Sequence, residues 1–276
     1  MEPGFLSFVT HIKGVNYHLL LQIFCLIFSR LAPVTAIAPF LGAKVIPTMG
    51  RVGVALSLTT IFLPNVLVYL HTTTTEIPTY HFLIYLVKEI CLGFVLGIFI
   101  SSPFFIMQSA GILIDYIRGS SVAIAQDMVL QSSSSPLGLL FNKCLIVFFY
   151  STHGPFFFFE AFLDSFESFP VDTGIPITFF YNEIFWKTCF SILGYIFMTS
   201  IELTAPSLLA VLMAELFLGI ANRLAPQVPV ALLGLPLKSF LGLLLLTVSW
   251  FSFIKKSSYE SVHWIQIFRT IFLVKS

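Results

Sequence analysis

The groups that could do chemistry in this 276-residue chain are acids and bases set inside apolar sequence: Glu89, Glu160, Glu202 and Glu215, with Arg30 and Lys88. Carboxylates in such surroundings could relay protons, as ionisable groups do in pumps and ion-coupled carriers. An ion-coupled secondary transporter is therefore one reading, and Glu202-Leu203-Thr204-Ala205-Pro206 adds a candidate discontinuous helix. Against it, no clear internal repeat relates the two halves of the chain. The other reading pairs these carboxylates with basic groups on neighbouring helices or subunits, and the rest of the sequence favours it.

Other reactive constellations are missing. The six histidines, His11, His18, His71, His81, His153 and His263, never fall at HExxH spacing, and neither GxSxG nor GxxxxGK[ST] occurs. Asp115 lies near Gly-rich apolar sequence, but an intramembrane aspartyl protease needs a second, similarly placed aspartate. Cys25, Cys91, Cys144 and Cys189 sit in four different apolar runs without CxxC spacing and read as small buried hydrophobes. The expectation is no catalytic residue, no metal site and no cofactor. A net charge of +1 brings no general attraction to nucleic acid or acidic substrates.

The elements that carry these groups are set by composition. The chain is 57% hydrophobic and 10% charged, whereas a soluble domain has roughly a quarter of its residues charged. Six apolar runs, about 17–41, 53–70, 80–107, 137–161, 184–220 and 231–254, predict an all-α integral membrane protein of broken helices and helical hairpins. One charge inside such a run costs about 3 kcal/mol, against a return of about 4–9 kcal/mol from fifteen Leu, Ile, Phe or Val residues. Insertion is favourable only if each charge faces protein or water. The fifth run exceeds one ordinary span, and Pro206 offers a break or kink.

Residues 1–254 read as one helical domain and 255–276 as a basic tail, with Lys255, Lys256, Arg269 and Lys275 against Glu260; the positive-inside rule makes that tail cytoplasmic. Loop 42–52, with Lys44 and Arg51, prefers the same side, yet six single passes would separate the two. Either a double pass by the fifth run or a hairpin that does not span would remove the conflict. At the N-terminus, Lys13, the run Leu19 to Phe28 and Ala36-Ile37-Ala38 look superficially like a signal peptide. Arg30 and Pro33 interrupt that pattern, so the run reads as a retained helix.

Two joins are unusual. Glu215 to Lys238 keeps Arg223, Gln227 and Lys238 with Pro226, Pro229 and Pro236 inside greasy sequence, where lipid offers polar groups no partner. We expect Glu215, Arg223, Gln227 and Lys238 to make charge-assisted bonds between helices or subunits. The connection 108–136 is Gly- and Ser-rich, with Gly111, Gly119, Ser120, Ser121 and Ser132 to Ser135 (Ser133 and Ser134 between them), and Asp115 and Arg118 could pair at i, i+3 on a helix. The alternative for that connection is a solvated linker.

Three ordered segments together resemble the SctT proteins of type III secretion systems, called FliR in the flagellum. They are Arg30 to Pro64, punctuated by Pro39, Pro47 and Arg51; AGILIDYIRGSS within Gly93 to Gly138; and Glu215 to Lys238. The resemblance, closer to the virulence-type branch, implies one subunit of a helical export-gate assembly in the bacterial inner membrane. It implies SctR, SctS, SctU and SctV-like partners, and transient contact with unfolded secreted proteins. It also implies that the central connection, with Gly119, Ser120, Ser121, Ser132, Ser133, Ser134 and Ser135, contributes to plugging the closed pore. Arg30, Arg51, Asp115, Arg118, Glu202, Glu215, Arg223, Gln227 and Lys238 are then candidate assembly contacts.

Overall fold

The computed structural model describes residues 17–43, 45–68, 78–119, 135–174, 183–225, 234–248, 250–251 and 254–256. Six helices are α1 (Tyr17–Ile37), α2 (Thr48–Val68), α3 (Thr79–Ile117), α4 (Pro136–Ser151), α5 (Gly154–Ser168) and α6 (Glu183–Leu224). A shorter apolar helix, α7, spans Gly234–Val248. Among the described residues there is no strand. Among the described residues four helices are long and apolar enough to cross a membrane: α1, α2, α3 and the Leu193–Leu224 part of α6. The protein is an all-α membrane protein.

The chain divides into two compact units. One takes residues 1–102, 153–187 and 262–276, the other 103–152 and 188–261. In the first unit α1 packs on α2, and α2 on α5. The α1–α3 packing is set by Gly93 and Gly97, a small-xxx-small pair that lets helix backbones close up. A Cβ at Gly93 would overlap the Arg30 backbone, and one at Gly97 would stand 3.3 Å from Val34 Cα. Helix α5 buries Phe158, Phe162 and Phe166, four residues apart and so on one face. Those rings meet one another at 6.0 and 5.3 Å between centroids, Phe158 meets Phe40 at 5.1 Å, and Phe162 meets Phe62 at 5.7 Å.

In the second unit α3 continues to Ile117, so the first ten residues of the connection at 108–136 are helix. Gly119 at φ 83° takes the left-handed conformation that closes a helix at little cost to glycine. Ser135 caps α4, its Oγ accepting from Gly138 N at 3.0 Å, and Pro136 opens the first turn, where its missing N–H is harmless. The apolar run 137–161 is two helices, because Thr152, His153 and Gly154-Pro155 end one and start the next, with His153 at φ 58°.

The fifth apolar run departs from expectation: α6 is one uninterrupted 42-residue helix with Pro206 inside it. It does not fold back at the proline, so the double pass is not the answer to the topology conflict. Interior prolines also occur in α1, α2 and α3, at Pro33, Pro64 and Pro103. Nearby hydroxyls bond carbonyls of the preceding turn at each, as Thr204 does to Ile201 O at 2.9 Å and Ser102 to Ile98 O at 2.9 Å. These bonds go to carbonyls other than Glu202 O and Phe99 O, the ones that Pro206 and Pro103 leave without an N–H four residues on.

Candidate functional site

Three charged constellations organise the described residues. The first is buried in the first unit. Glu89, Gly93 and Gly97 recur every fourth residue on α3 and so line one face, the face that meets Arg30 and Val34 of α1. Close backbone approach at Gly93 brings the Arg30 guanidinium to Glu89. Arg30 Nε donates to Glu89 Oε2, and Nη2 donates to Oε1 at 2.9 Å, a two-pronged pair with both side chains wholly buried. The remaining donors reach the end of α5: Nη1 bonds Ser165 O at 3.1 Å and Ser165 Oγ at 3.2 Å, and Nη2 bonds Phe169 O at 2.8 Å. Phe166 stacks under the guanidinium at 4.0 Å.

Lys88 completes this cluster. Its Nζ lies 2.9 Å from Glu89 Oε1 and donates to Pro170 O at 2.7 Å and Thr173 O at 2.8 Å. All five guanidinium N–H groups and all three ammonium N–H groups are thereby used. Two cations therefore sit at the C-terminal end of α5, the end that favours positive charge, where Arg30 shares Ser165 O with the Phe169 N–H. Glu89 keeps the cations tolerable by supplying the counter-charge.

The second constellation sits at the end of α3. The Asp115 carboxylate is buried; Oδ2 accepts from Ser135 Oγ and from Leu137 N at 3.0 Å, and Oδ1 accepts from Arg118 Nε at 2.9 Å. A Cβ at Gly111 would stand 2.5 Å from Gly138 Cα, so α3 and α4 touch backbone to backbone there. The segment AGILIDYIRG thus divides its work among four residues. Gly111 admits α4, Asp115 holds its start, Arg118 balances Asp115, and Gly119 ends α3.

The third is an antiparallel hairpin of α6 against the chain that returns along it. Lys238 Nζ donates to Glu215 Oε1 at 2.6 Å, and Lys256 pairs with Glu202. Gly234 lies against Leu218, and Gly242 against Val211, in the same register. Both ion pairs are half-exposed, and each pair is closed within one chain.

Of the residues singled out from sequence, Arg30, Asp115, Arg118, Glu202, Glu215 and Lys238 are joined to partners in this way. Arg51, on the first turn of α2, is half-buried. Arg223 stands exposed on the last turn of α6. Gln227, Ser120, Ser121, Ser132, Ser133 and Ser134 lie outside the described residues. Sequence reading placed Lys88 and Glu89 inside an apolar run without finding their partner, and it missed Ser165 and the Gly93–Gly97 pair. The signal for the last was present as GxxxG four residues beyond Glu89. A proton relay finds little support in this geometry: Glu89, Glu202 and Glu215 each accept from a basic side chain. Among the described residues no three His, Cys, Asp or Glu side chains gather as a metal ion requires.

Residues 21–261 match the family described as bacterial export proteins, family 1. The chain is similar to Yop proteins translocation protein T of Yersinia pestis, 31% identical over 179 residues that cover 63% of this chain and 65% of that protein. It therefore spans just under two thirds of that relative's length. It is 29% identical to the secretion system apparatus protein SsaT of Salmonella typhimurium over 72% of this chain and 75% of that one. With the flagellar biosynthetic protein FliR of Bacillus subtilis it shares 26% identity over 82% and 85%. The match runs from α1 through α7 and takes in all three charged constellations, and the protein belongs to the family 1 bacterial export proteins, the SctT/FliR family of type III export proteins.

Proposed function

We propose that this protein is a structural, non-catalytic subunit of a type III secretion export apparatus in the bacterial inner membrane, where it helps form the path for unfolded secreted proteins. One observation carries the reading: α6 presents an exposed apolar face that is too long for a bilayer. Phe190, Phe197, Met198, Ile201, Leu209, Leu212, Leu216, Ile220 and Leu224 are all exposed. At 1.5 Å per residue that face runs about 51 Å, against a hydrocarbon core of about 30 Å. Tilting by about 40° would cover only about 39 Å of it. The remainder needs protein, which a multi-subunit membrane assembly supplies.

In this reading the neighbours are other membrane proteins of the apparatus, SctR-, SctS-, SctU- and SctV-like, and the basic tail 255–276 faces the cytoplasm. Gentle detergent extraction of cells carrying the whole apparatus should recover the protein with several small, equally apolar partners. Recovery only as a monomer or homodimer would overturn the reading.

The connection between Gly119 and Ser135 serves as the resting plug of the path, a role supported by its Gly- and Ser-rich composition. Deleting 121–134 should make cells carrying the apparatus leak small ions, measured as loss of membrane potential, while the complex still assembles. An ion-tight deletion complex would remove the plug from the proposal.

A further inference from the structure

We propose that Arg223 is the charge through which the exposed face of α6 recognises its neighbour, and that the neighbour is an apolar helix of another membrane subunit bearing a carboxylate. The inference rests on the export-subunit reading above and names the chemistry of one contact in it. Three observations lead to it.

The first is elimination among the charges. Six of the acids and bases expected at assembly contacts are engaged inside the chain: Arg30, Asp115, Arg118, Glu202, Glu215 and Lys238. Of the other candidate cations, Arg51 and Arg223 make no ion pair among the described residues; Arg51 is half-buried with its Nε enclosed, and Arg223 is the one that stands exposed.

The second is position. Leu212, Leu216, Ile220 and Arg223 are spaced four, four and three residues apart, so they share one helix face. Leu212, Leu216 and Ile220 are exposed there, and Leu224 flanks them. Complementing the helix dipole accounts for a cation on the last turn, but not for its place on the apolar stripe rather than beside Glu215 or on the buried side.

The third is length. The stripe is part of the exposed apolar face from Phe190 to Leu224, which as a whole exceeds what a bilayer covers and so requires protein over part of its length. A guanidinium inside such an apolar contact is tolerated only with a counter-charge that accepts its fork of N–H donors. Apolar side chains along the stripe with one carboxylate opposite its Arg223 end is the complement this surface specifies. A lipid phosphate could also accept from Arg223, and it is the competing outcome of the test.

The test uses the full chain in cells carrying the whole apparatus, with a photo-reactive residue at position 220. The expected result is an adduct with another membrane subunit that maps to an apolar helix containing Asp or Glu. Arg223→Glu should cut both adduct yield and secretion at least ten-fold, with the chain still accumulating in the membrane, and Arg223→Gln should fall between. Changing the mapped acid to Lys in the partner should restore at least half of the adduct to Arg223→Glu. Adducts with lipid alone, an adduct indifferent to Arg223→Glu and Arg223→Gln, or the absence of charge-swap rescue would each overturn the proposal. If the complex still co-purifies while any of these is seen, only this contact is wrong; if no complex is recovered from the unmodified chain, the export-subunit reading fails first.

Discussion

Glu89→Ala should be the most damaging single substitution in this protein, with loss of about 3–5 kcal/mol of folding stability. Arg30 and Lys88 are both buried, and Glu89 is the carboxylate that binds both. Removing it leaves two cations side by side away from water. Stability of a domain is about 5–15 kcal/mol in total, so the variant should fail to accumulate in the membrane fraction. Lys88→Met is the informative contrast. It leaves Arg30 and Glu89 as a matched pair and costs the bonds to Pro170 O and Thr173 O, about 1–3 kcal/mol. Denaturant unfolding in detergent, followed by intrinsic fluorescence, should rank Glu89→Ala well below Lys88→Met. Equal losses would mean that the carboxylate is not what makes the buried cations tolerable.

The second large effect belongs to Asp115. Asp115→Ala removes the acceptor for Leu137 N and Ser135 Oγ and leaves Arg118, mostly buried, without its carboxylate. A lost helix cap costs about 0.5–2 kcal/mol, and breaking a buried pair raises the total to about 3–5 kcal/mol. Asp115→Asn keeps an oxygen for the cap and loses the charge, so its cost should be about half. Ser135→Ala should cost about 1 kcal/mol. Asp115→Ala and Ser135→Ala share one bond, so their combined cost should fall short of the sum by at least about 0.5 kcal/mol. Strict additivity in a double-mutant cycle would separate the two residues and dissolve the idea of a clasp between α3 and α4.

These predictions fall on residues that differ in how far sequence reveals them. Asp115 and Arg118 were legible as an i, i+3 pair, because that contact is local to one helix and periodicity reveals it. Ser135 was not, since its partner lies 20 residues away in the sequence. Pro206 invited a break that α6 does not have. A proline removes one backbone hydrogen bond at a cost of about 3 kcal/mol, and the remaining bonds of a 42-residue apolar helix outweigh it. At His153-Gly154-Pro155 the chain ends one helix and starts the next, because glycine followed by proline punctuates a helix.

By itself the sequence determined the class of the protein. Long apolar runs with few charges mark a membrane protein of helices, and an ordered set of motifs resembles that of export proteins. It also determined that every interior charge needs a protein or water partner, because hydrocarbon solvates none. Which partner each charge takes was decided only by the tertiary structure. Arg30 reaches Glu89 across 59 residues and Phe169 across 139, and helical periodicity carries no information over such separations. Glycine at positions 93 and 111 sets how closely backbones approach, and that closeness selects which side chains can meet. The same packing shows Glu202, Glu215 and Lys238 closed within the chain and leaves Arg223 on the surface, a distinction that residue type could not make.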